Sequence, residues 1–290
     1  MIELNKIYNE DCLEGMKRIP DGSVDCILTD PPYLYLKNQK LDRPFDEQAF
    51  FRECKRVLKK NAFIVLFGRG TSFYRWNTML SEMGFVFKEE IIWDKRRISS
   101  PFLPIHRLHE TCSIHTVGNG NIRNVKEPYI ERRWFYPQGI KQDISRILSA
   151  VNTGGYELRQ LINYIEGKAV DNTRAKSSFN VTGSNQRKLL PAVDIYKRIC
   201  NGITMSDIIQ AFEPNKGRIH PTQKPIRLIE ILMELTSDER NTVLDPFSGS
   251  GSTAIAALNT GRHFIGFEID KEYYDLSISR IREHQPKLAL

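Results

Sequence analysis

Short apolar runs alternate with amphipathic stretches along the first 117 residues of the chain. Runs of strand length are followed by segments with apolar residues at helical spacing, a pattern that is typical of βαβ units with a parallel sheet. The predicted strands are Glu3–Tyr8, Val24–Thr29, Ala62–Phe67, Phe85–Trp93 and Glu110–Thr116. The predicted helices between them are Cys12–Arg18, Asp46–Lys59 and Ser72–Met83.

The same alternation returns near the end of the chain. It predicts strands over 242–244 and His263–Phe267, and helices over Lys224–Leu235, over 253–260 and from Lys271 onward. Together the two regions predict one doubly wound α/β domain whose mostly parallel sheet has about seven strands. We therefore divide the chain into a first part of this domain at 1–117, an inserted module at 118–218 and a second part at 219–290.

The inserted module carries the surplus of positive charge. The 290 residues have a formal net charge of +7, and residues 117–219 hold 16 Lys and Arg against 9 Asp and Glu, so the remaining 26 of each sign cancel. A local surplus predicts a polyanion-binding surface, and a solvated face of uneven composition is the alternative. Aromatic and basic residues interleave from Arg132 to Tyr136, and a polar, turn-rich stretch runs from Asp171 to Lys188.

The rest of the composition disfavours several classes of protein. No apolar run approaches the roughly 18 residues of a membrane span, and the amino terminus lacks a secretory signal, so we expect a cytoplasmic protein. The five cysteines are scattered without CxxC spacing, which disfavours a disulfide framework or a zinc cluster. His106, His109 and His115 do not have the spacing of a helical metal pair, and we expect no metal site.

Two loop motifs follow predicted strands. The first is Asp30-Pro31-Pro32-Tyr33, and the second is Asp245-Pro246-Phe247-Ser248-Gly249-Ser250-Gly251-Ser252. Ligand sites of α/β proteins lie at the carboxyl edge of the sheet, which is where both motifs are expected. Because a helix is predicted directly after its glycines, the second motif predicts a loop that binds a nucleotide-like cofactor.

By these two motifs and their order, the chain resembles the beta class of S-adenosylmethionine-dependent DNA amino methyltransferases. In that class the catalytic loop precedes the cofactor loop, so the resemblance implies a circularly permuted, Rossmann-like methyltransferase fold. It leaves the module at 118–218 unmatched, and the basic charge of that module predicts that it recognises the target site in duplex DNA. A homodimer is expected by analogy, and a cognate restriction endonuclease is left open as a further partner.

The resemblance implies that S-adenosylmethionine binds at the second motif. Gly249 and Gly251 are expected to let the backbone approach the cofactor closely. Glu268, at the end of the next strand, is expected to accept both ribose hydroxyls, and a solvated strand-end charge is the alternative. The other residues implied are Asp11 for the adenine amine, unless it only caps a helix, Lys224 for the cofactor's carboxylate, and Asp245, Phe247, Ser248 and Ser250 in the pocket.

The first motif is expected to grip an exocyclic amine whose lone pair is delocalised into the base. Asp30 would accept one amine hydrogen and the Pro31 carbonyl the other, while Pro31 and Pro32 keep the loop rigid. Tyr33 would stack on a base that is flipped out of the duplex. By the resemblance, Asp at position 30 favours adenine N6, and cytosine N4 stays open as the alternative.

The surplus of positive charge in the module is interpreted as its DNA-binding surface. Arg132 and Arg133 are expected to contact DNA phosphates. A non-catalytic DNA-binding protein on the same fold is a second alternative to the enzyme. The intact acid at position 30 and the intact glycines of the second motif disfavour it.

Overall fold

The computed structural model describes residues 2–33, 42–96, 104–152, 155–171, 177–178, 187–188, 191–212 and 218–284. The chain forms two compact units. Residues 1–123 and 206–290 form the sheet unit, and residues 124–205 form the helical unit. Among the described residues, no helix is both long enough and apolar enough to cross a membrane.

An eight-stranded sheet lies at the centre of the sheet unit. The strands of the described chain are β1 (Lys6–Tyr8), β2 (Val24–Thr29), β3 (Leu58–Gly68), β4 (Phe85–Asp94), β5 (His109–Val117), β6 (Lys126–Glu127), β7 (Ser177–Ser178), β8 (Arg187–Lys188), β9 (Ile203–Thr204), β10 (Ile208–Gln210), β11 (Thr242–Asp245) and β12 (His263–Phe267). The order in the large sheet is β1-β12-β11-β2-β3-β5-β4-β10. β5 is antiparallel to both of its neighbours, and the other neighbouring strands of this sheet are parallel.

Helices cover both faces of the sheet. The described helices are α1 (Cys12–Met16), α2 (Glu47–Val57), α3 (Gly70–Glu82), α4 (Tyr129–Phe135), α5 (Gln138–Asn152), α6 (Tyr156–Ile165), α7 (Pro191–Asn201), α8 (Ile226–Thr236), α9 (Ser252–Asn259) and α10 (Lys271–His284). Ile27 of β2 shares an apolar core with buried residues of α1, α2 and α3. Its neighbour Cys26 points to the opposite face, where its Sγ lies 3.3 Å from the Thr236 hydroxyl of α8.

Strand direction decides which residues meet at the carboxyl edge of the parallel strands. β11 pairs in parallel with β2, with Leu244 opposite Ile27, so the two predicted motifs begin side by side. β5 runs antiparallel to β3, with Thr111 opposite Gly68 at the end of β3. The first residues of β5, including Glu110, therefore reach the same edge as the ends of β2 and β11.

The predicted fold class is confirmed, with differences at the margins. Most predicted strands and helices of the sheet unit agree with the observed bounds to within a few residues. The first strand is shorter than predicted, since it begins at Lys6 rather than Glu3. The sheet has an eighth strand, β10, which pairs Ile208 with Ile92 of β4. Three residues are too few for an alternating pattern to be recognised in the sequence.

The helical unit is narrower than the predicted insertion. Residues 118–123 and 206–218 belong to the sheet unit. The sequence did not predict the four helices of the helical unit, α4 to α7. The polar stretch Asp171–Lys188 lies outside the described residues, except for Asp171 and the antiparallel pair of β7 and β8. That this unit recognises DNA stays a prediction.

Gly15 of α1 lies directly against the ring of Phe267. A Cβ atom at this position would lie 2.1 Å from Phe267 Cε1, where the two carbons overlap. Gly15→Ala should therefore lower the free energy of unfolding by about 1–3 kcal/mol, although alanine favours an uncrowded helix by about 1 kcal/mol. Urea denaturation measures the loss. Lys17→Ala, at the exposed end of the same helix, is the control and should stay within about 0.5 kcal/mol. An unchanged Gly15→Ala would mean that the ring moves aside without cost.

Candidate active site

A cavity of about 320 Å³ opens at the carboxyl edge of the sheet. Most of the residues predicted for the site line it: Asp11, Asp30, Pro31, Pro32, Tyr33, Lys224, Asp245, Phe247, Ser248, Gly249, Ser250 and Glu268. Gly251 does not line it. Its backbone begins α9 with φ at 71°, and a Cβ there would lie 3.2 Å from Ser277 Cβ. This glycine therefore serves the turn into the helix.

Two acidic residues lie at the end of the cavity formed by β1 and β12. The Glu268 carboxylate accepts hydrogen bonds from the backbone N–H groups of Gly249, at 2.9 Å, and Asp270, at 2.8 Å. Burial raises the pKa of Glu268 above its ordinary value. Asp11 caps α1, since its Oδ1 accepts from Leu13 N at 2.8 Å. Both carboxylates are thus fixed by backbone donors and keep further acceptor capacity for a ligand.

The catalytic loop begins where β2 ends. Asp30 accepts a hydrogen bond on one carboxylate oxygen from the Tyr33 hydroxyl and on the other from the Lys224 ammonium. The Ser72 hydroxyl donates to the Tyr33 carbonyl at 2.5 Å, and Trp76 lies against the Tyr33 ring at a centroid distance of 6.2 Å. The loop is therefore held from both sides, by α3 and by the segment before α8.

Lys224 has different partners from the one that the sequence predicted. Its Nζ contacts Asp30 and lies 3.1 Å from Glu110 Oε2, and Lys95 Nζ lies 3.0 Å from Glu110 Oε1. Burial opposes the charge on Lys224, but the two carboxylates outweigh it and raise the pKa of the ammonium. These partners disfavour the prediction that Lys224 pairs with the cofactor's carboxylate, because a buried ammonium needs counter-charges and two are in place.

The carboxylates on either side of Lys224 differ in their surroundings. Burial and the neighbouring Glu110 raise the pKa of Asp30, against the opposing effect of Lys224. Burial would also raise the pKa of Glu110, but Lys224 and Lys95 outweigh it and lower that pKa to about 2. Glu110 is therefore a fixed negative charge, whereas Asp30 is the more basic of the two acids.

Several residues that the sequence did not assign also line the cavity. Phe45 and Phe247 pack with ring centroids 5.2 Å apart and form an apolar wall. Phe67 and Glu110 come from β3 and β5. His220 was noticed only as part of a motif. Its Nδ1 accepts from Thr222 N at 3.2 Å, and burial lowers its pKa to about 4, so the neutral ring carries its proton on Nε2.

Comparison with known proteins identifies the family. The N6/N4 methyltransferase family model, described as DNA methylase, matches residues 24–279. The chain belongs to this family. It is 25% identical to the type II methyltransferase M.HinfI of Haemophilus influenzae, over 98% of this chain and 70% of that protein. It is 27% identical to the DNA adenine methyltransferase YhdJ of Escherichia coli K12, over 96% of this chain and 83% of that protein.

A solved structure supports the fold. The M1.HpyAVI–SAM complex has a TM-score of 0.55 and 20% identity, over 95% of this chain and 98% of that chain. At this identity the likeness concerns the fold alone. The resemblance inferred from the two motifs, and with it the Rossmann-like methyltransferase fold, is confirmed.

The two arginines predicted to contact DNA have partners inside the helical unit. Arg132 Nη1 lies 2.8 Å from Glu127, and Arg133 Nη2 lies 2.5 Å from Asp143. The Tyr129 hydroxyl donates to the same Asp143 oxygen at 2.8 Å. Each guanidinium group thus neutralises a buried acid of this methylase, which disfavours the predicted contact of both arginines with DNA phosphates.

Asp245 is a buried acid at the end of β11. Its Oδ1 accepts from Phe247 N at 3.2 Å, and burial raises its pKa to about 7. Because this folded-state pKa exceeds the ordinary value, the folded protein binds more protons than the unfolded chain between about pH 4 and pH 7. The contribution of Asp245 to stability should therefore fall as the pH rises through this window.

Asp245→Asn should remove this pH dependence while keeping an oxygen for Phe247 N. The free energy of unfolding of the variant should decline less than that of the unchanged protein from about pH 5 to about pH 8, by up to a few kcal/mol. Urea denaturation at the two pH values measures the difference. Asp275→Asn, on an exposed part of α10, is the control and should follow the unchanged protein. Parallel curves for all three proteins would show that Asp245 titrates near its ordinary pKa.

Proposed function

We propose that this chain transfers the methyl group of S-adenosylmethionine to the N6 amine of adenine in duplex DNA. The observation that carries the proposal is the single cavity that the Asp30 loop and the Gly249 loop share. Adjacent parallel strands deliver an acceptor for an amine and a glycine turn for a cofactor to the same edge. A methyl donor and a methyl acceptor can therefore meet there.

The residues at the glycine loop fit S-adenosylmethionine. Glu268 offers a fixed carboxylate for ribose hydroxyls, and Asp11 offers one for an adenine amine. Phe45 and Phe247 supply the apolar wall against which the adenine ring packs. Gly249 has φ at 48°, a backbone conformation that residues with a side chain rarely adopt, and its lack of a Cβ keeps the backbone open to the ligand. When bound, this cofactor supplies an electrophilic methyl group on a sulfonium.

Asp30 and Pro31 bind the amine. In the structure, the oxygens of Asp30 accept from Tyr33 and Lys224, and the base amine takes over the oxygen that Tyr33 occupies. Hydrogen bonds from both amine hydrogens, to Asp30 and to the Pro31 carbonyl, direct the nitrogen lone pair toward the methyl group. The nitrogen–methyl bond forms as the sulfur–methyl bond breaks, and the proton released by the nitrogen passes to Asp30, whose pKa burial has raised.

Adenine is favoured over cytosine. YhdJ, which aligns with 96% of this chain, is named a DNA adenine methyltransferase. By family resemblance, the aspartate at position 30 also favours adenine. Cytosine N4 is the second candidate, since Asp30 and Pro31 would hold either exocyclic amine. Nucleoside analysis of DNA methylated by the purified protein separates N6-methyladenine from N4-methylcytosine.

The helical unit is the proposed DNA-recognition module. It holds 13 Lys and Arg against 7 Asp and Glu. Exposed basic side chains, rather than the paired Arg132 and Arg133, supply the phosphate contacts, and Lys141 of α5 and Arg159 of α6 are examples. A homodimer, a cognate restriction endonuclease and a cytoplasmic location stay predictions.

Replacing Asp30 tests the catalytic role. Asp30→Ala should lower kcat by more than about a hundredfold, because the amine loses one acceptor and its base, while the dissociation constant of S-adenosylmethionine changes little. Methyl transfer to DNA and titration calorimetry measure the two quantities. Asp42→Ala also changes an acid of the cavity lining and should keep most of the turnover. Substantial methyl transfer by Asp30→Ala would remove Asp30 from the chemistry.

The helical unit offers a matched test of DNA contact. Arg133→Ala should lower the free energy of unfolding by up to roughly 3–5 kcal/mol, because the buried Asp143 loses its nearest cation and keeps only the Tyr129 hydroxyl and the more distant Arg146. It should leave the salt dependence of DNA affinity unchanged. Lys141→Ala combined with Arg159→Ala should do the reverse, and should flatten the log–log salt slope by about one unit for each lost contact. Unfolding measurements give the change in stability, and DNA titrations over a salt series give the slope. If the salt slope of DNA affinity flattens only in Arg133→Ala, the original assignment of Arg133 to a DNA phosphate is supported instead.

A further inference from the structure

Four charged groups form a row, and three of them, Asp30, Lys224 and Glu110, line the cavity. They alternate in sign: Asp30, Lys224, Glu110 and Lys95. The Lys95 and Lys224 side chains are each 8% exposed, and those of Glu110 and Asp30 are 19% and 20% exposed. Water therefore screens these groups only weakly, and each depends on its neighbours for stabilisation. We call this row the charge ladder.

The ladder connects strands that are far apart in sequence. Asp30 follows β2, Lys224 precedes α8, Glu110 lies in β5 and Lys95 follows β4. Backbone pairing fixes the end of the row that is remote from Asp30, since Lys95 N donates to the Leu108 carbonyl at 2.8 Å. Glu110 is one residue from Thr111, which is paired with both Gly68 and Ile92. The sheet thus holds Glu110, and Glu110 in turn holds Lys224.

Lys224 is shared between two acids and lies over an aromatic ring. Its Nζ is 5.0 Å from the centroid of Phe67, on the apolar floor of the cavity. An ammonium at this place, paired with Asp30 alone, would neutralise that carboxylate and weaken it as an acceptor. Glu110 draws on the same ammonium and leaves part of the negative charge of Asp30 available to a ligand.

We propose that Glu110 is a positioning residue for methyl transfer, which acts through Lys224 to keep the Asp30 carboxylate both fixed and basic. This role rests on the proposed function of Asp30. Glu110 itself need not touch the base or the cofactor. Lys224 orients Asp30, and Glu110 sets how strongly Lys224 neutralises it.

The ladder predicts opposite changes in two variants. The charged and titratable groups that act on Asp30 are Lys224, Glu110, Tyr33 and, at longer range, Asp245. Removing the negative charge of Glu110 makes Asp30 easier to ionise, because a like charge is lost and Lys224 then pairs with Asp30 alone. Removing the positive charge of Lys224 makes Asp30 harder to ionise. The acidic limb of the kcat profile reports this ionisation in the enzyme–substrate complex.

The experiment measures kcat against pH at saturating DNA and S-adenosylmethionine. Glu110→Gln should move the acidic limb to lower pH by about one unit, and Lys224→Met should move it to higher pH by a similar amount. Both should lower kcat at neutral pH by about tenfold or more, with KM for S-adenosylmethionine little changed. The double variant should return the limb toward that of the unchanged enzyme, which independent losses of structure would not do.

Controls separate this role from a loss of folding. Glu90→Gln makes the same change on an exposed part of β4 and should leave the profile as it is. Lys224→Arg keeps the charge, so its limb should stay in place even where kcat falls. If Lys224→Met does not fold, Glu110→Gln and Lys224→Arg still test the role proposed for Glu110. An acidic limb that does not move in folded Glu110→Gln overturns the proposal, as does one that moves equally in Glu90→Gln.

Failure of the proposed function would be seen separately. The unchanged protein would then give no N6-methyladenine in the nucleoside analysis. Methylation by the unchanged protein, together with an unmoved limb in Glu110→Gln, would overturn only the role of Glu110.

Discussion

The parallel pairing of β11 with β2 is the constraint on which the site depends. These strands come from opposite ends of the chain, and their register sets Val243 opposite Cys26 and Leu244 opposite Ile27. The two strands therefore end within one residue of the same level, with Asp245 as the last residue of β11 and Asp30 directly after β2. A slip of one residue would turn the side chains of β11 to the other face and separate the two loops. The apolar core under Leu244 and Ile27 opposes such a slip.

Antiparallel β5 supplies what a wholly parallel sheet could not. Residues at the start of a parallel strand lie at the edge opposite the site. Because β5 is reversed, Glu110 near its start reaches the carboxyl edge, and Lys95, directly after the end of β4, lies beside it. The edge thus gathers acids from several strands, and Lys224 lies between two of them. This concentration of negative charge in a partly buried cavity explains why burial and like charges raise the pKa of Asp30.

Local sequence patterns predicted the strands and helices. The roles of the site residues depend on strand pairing between distant parts of the chain. Val24–Thr29 and His263–Phe267 were predicted with the observed bounds, because continuous apolar runs between turn residues are distinctive. The two motifs identified ten of the 29 residues that line the cavity. Glu110 could not be found in this way, since an acid at the start of a strand is usually solvated. Its importance follows from the reversed direction of β5, which no local pattern encodes.

The three assignments that the structure disfavours share one physical cause. Lys224, Arg132 and Arg133 are cations for which the sequence context suggested an anionic ligand, and each has an acid of the chain itself as partner. Net charge counts such residues as available, whereas burial makes a nearby carboxylate almost obligatory. The cations that remain open to a polyanion are those on exposed helix surfaces, where a counter-charge is optional and adds little stability. The distribution of charge along a sequence therefore predicts a DNA-binding segment more reliably than it predicts the individual residues that contact DNA.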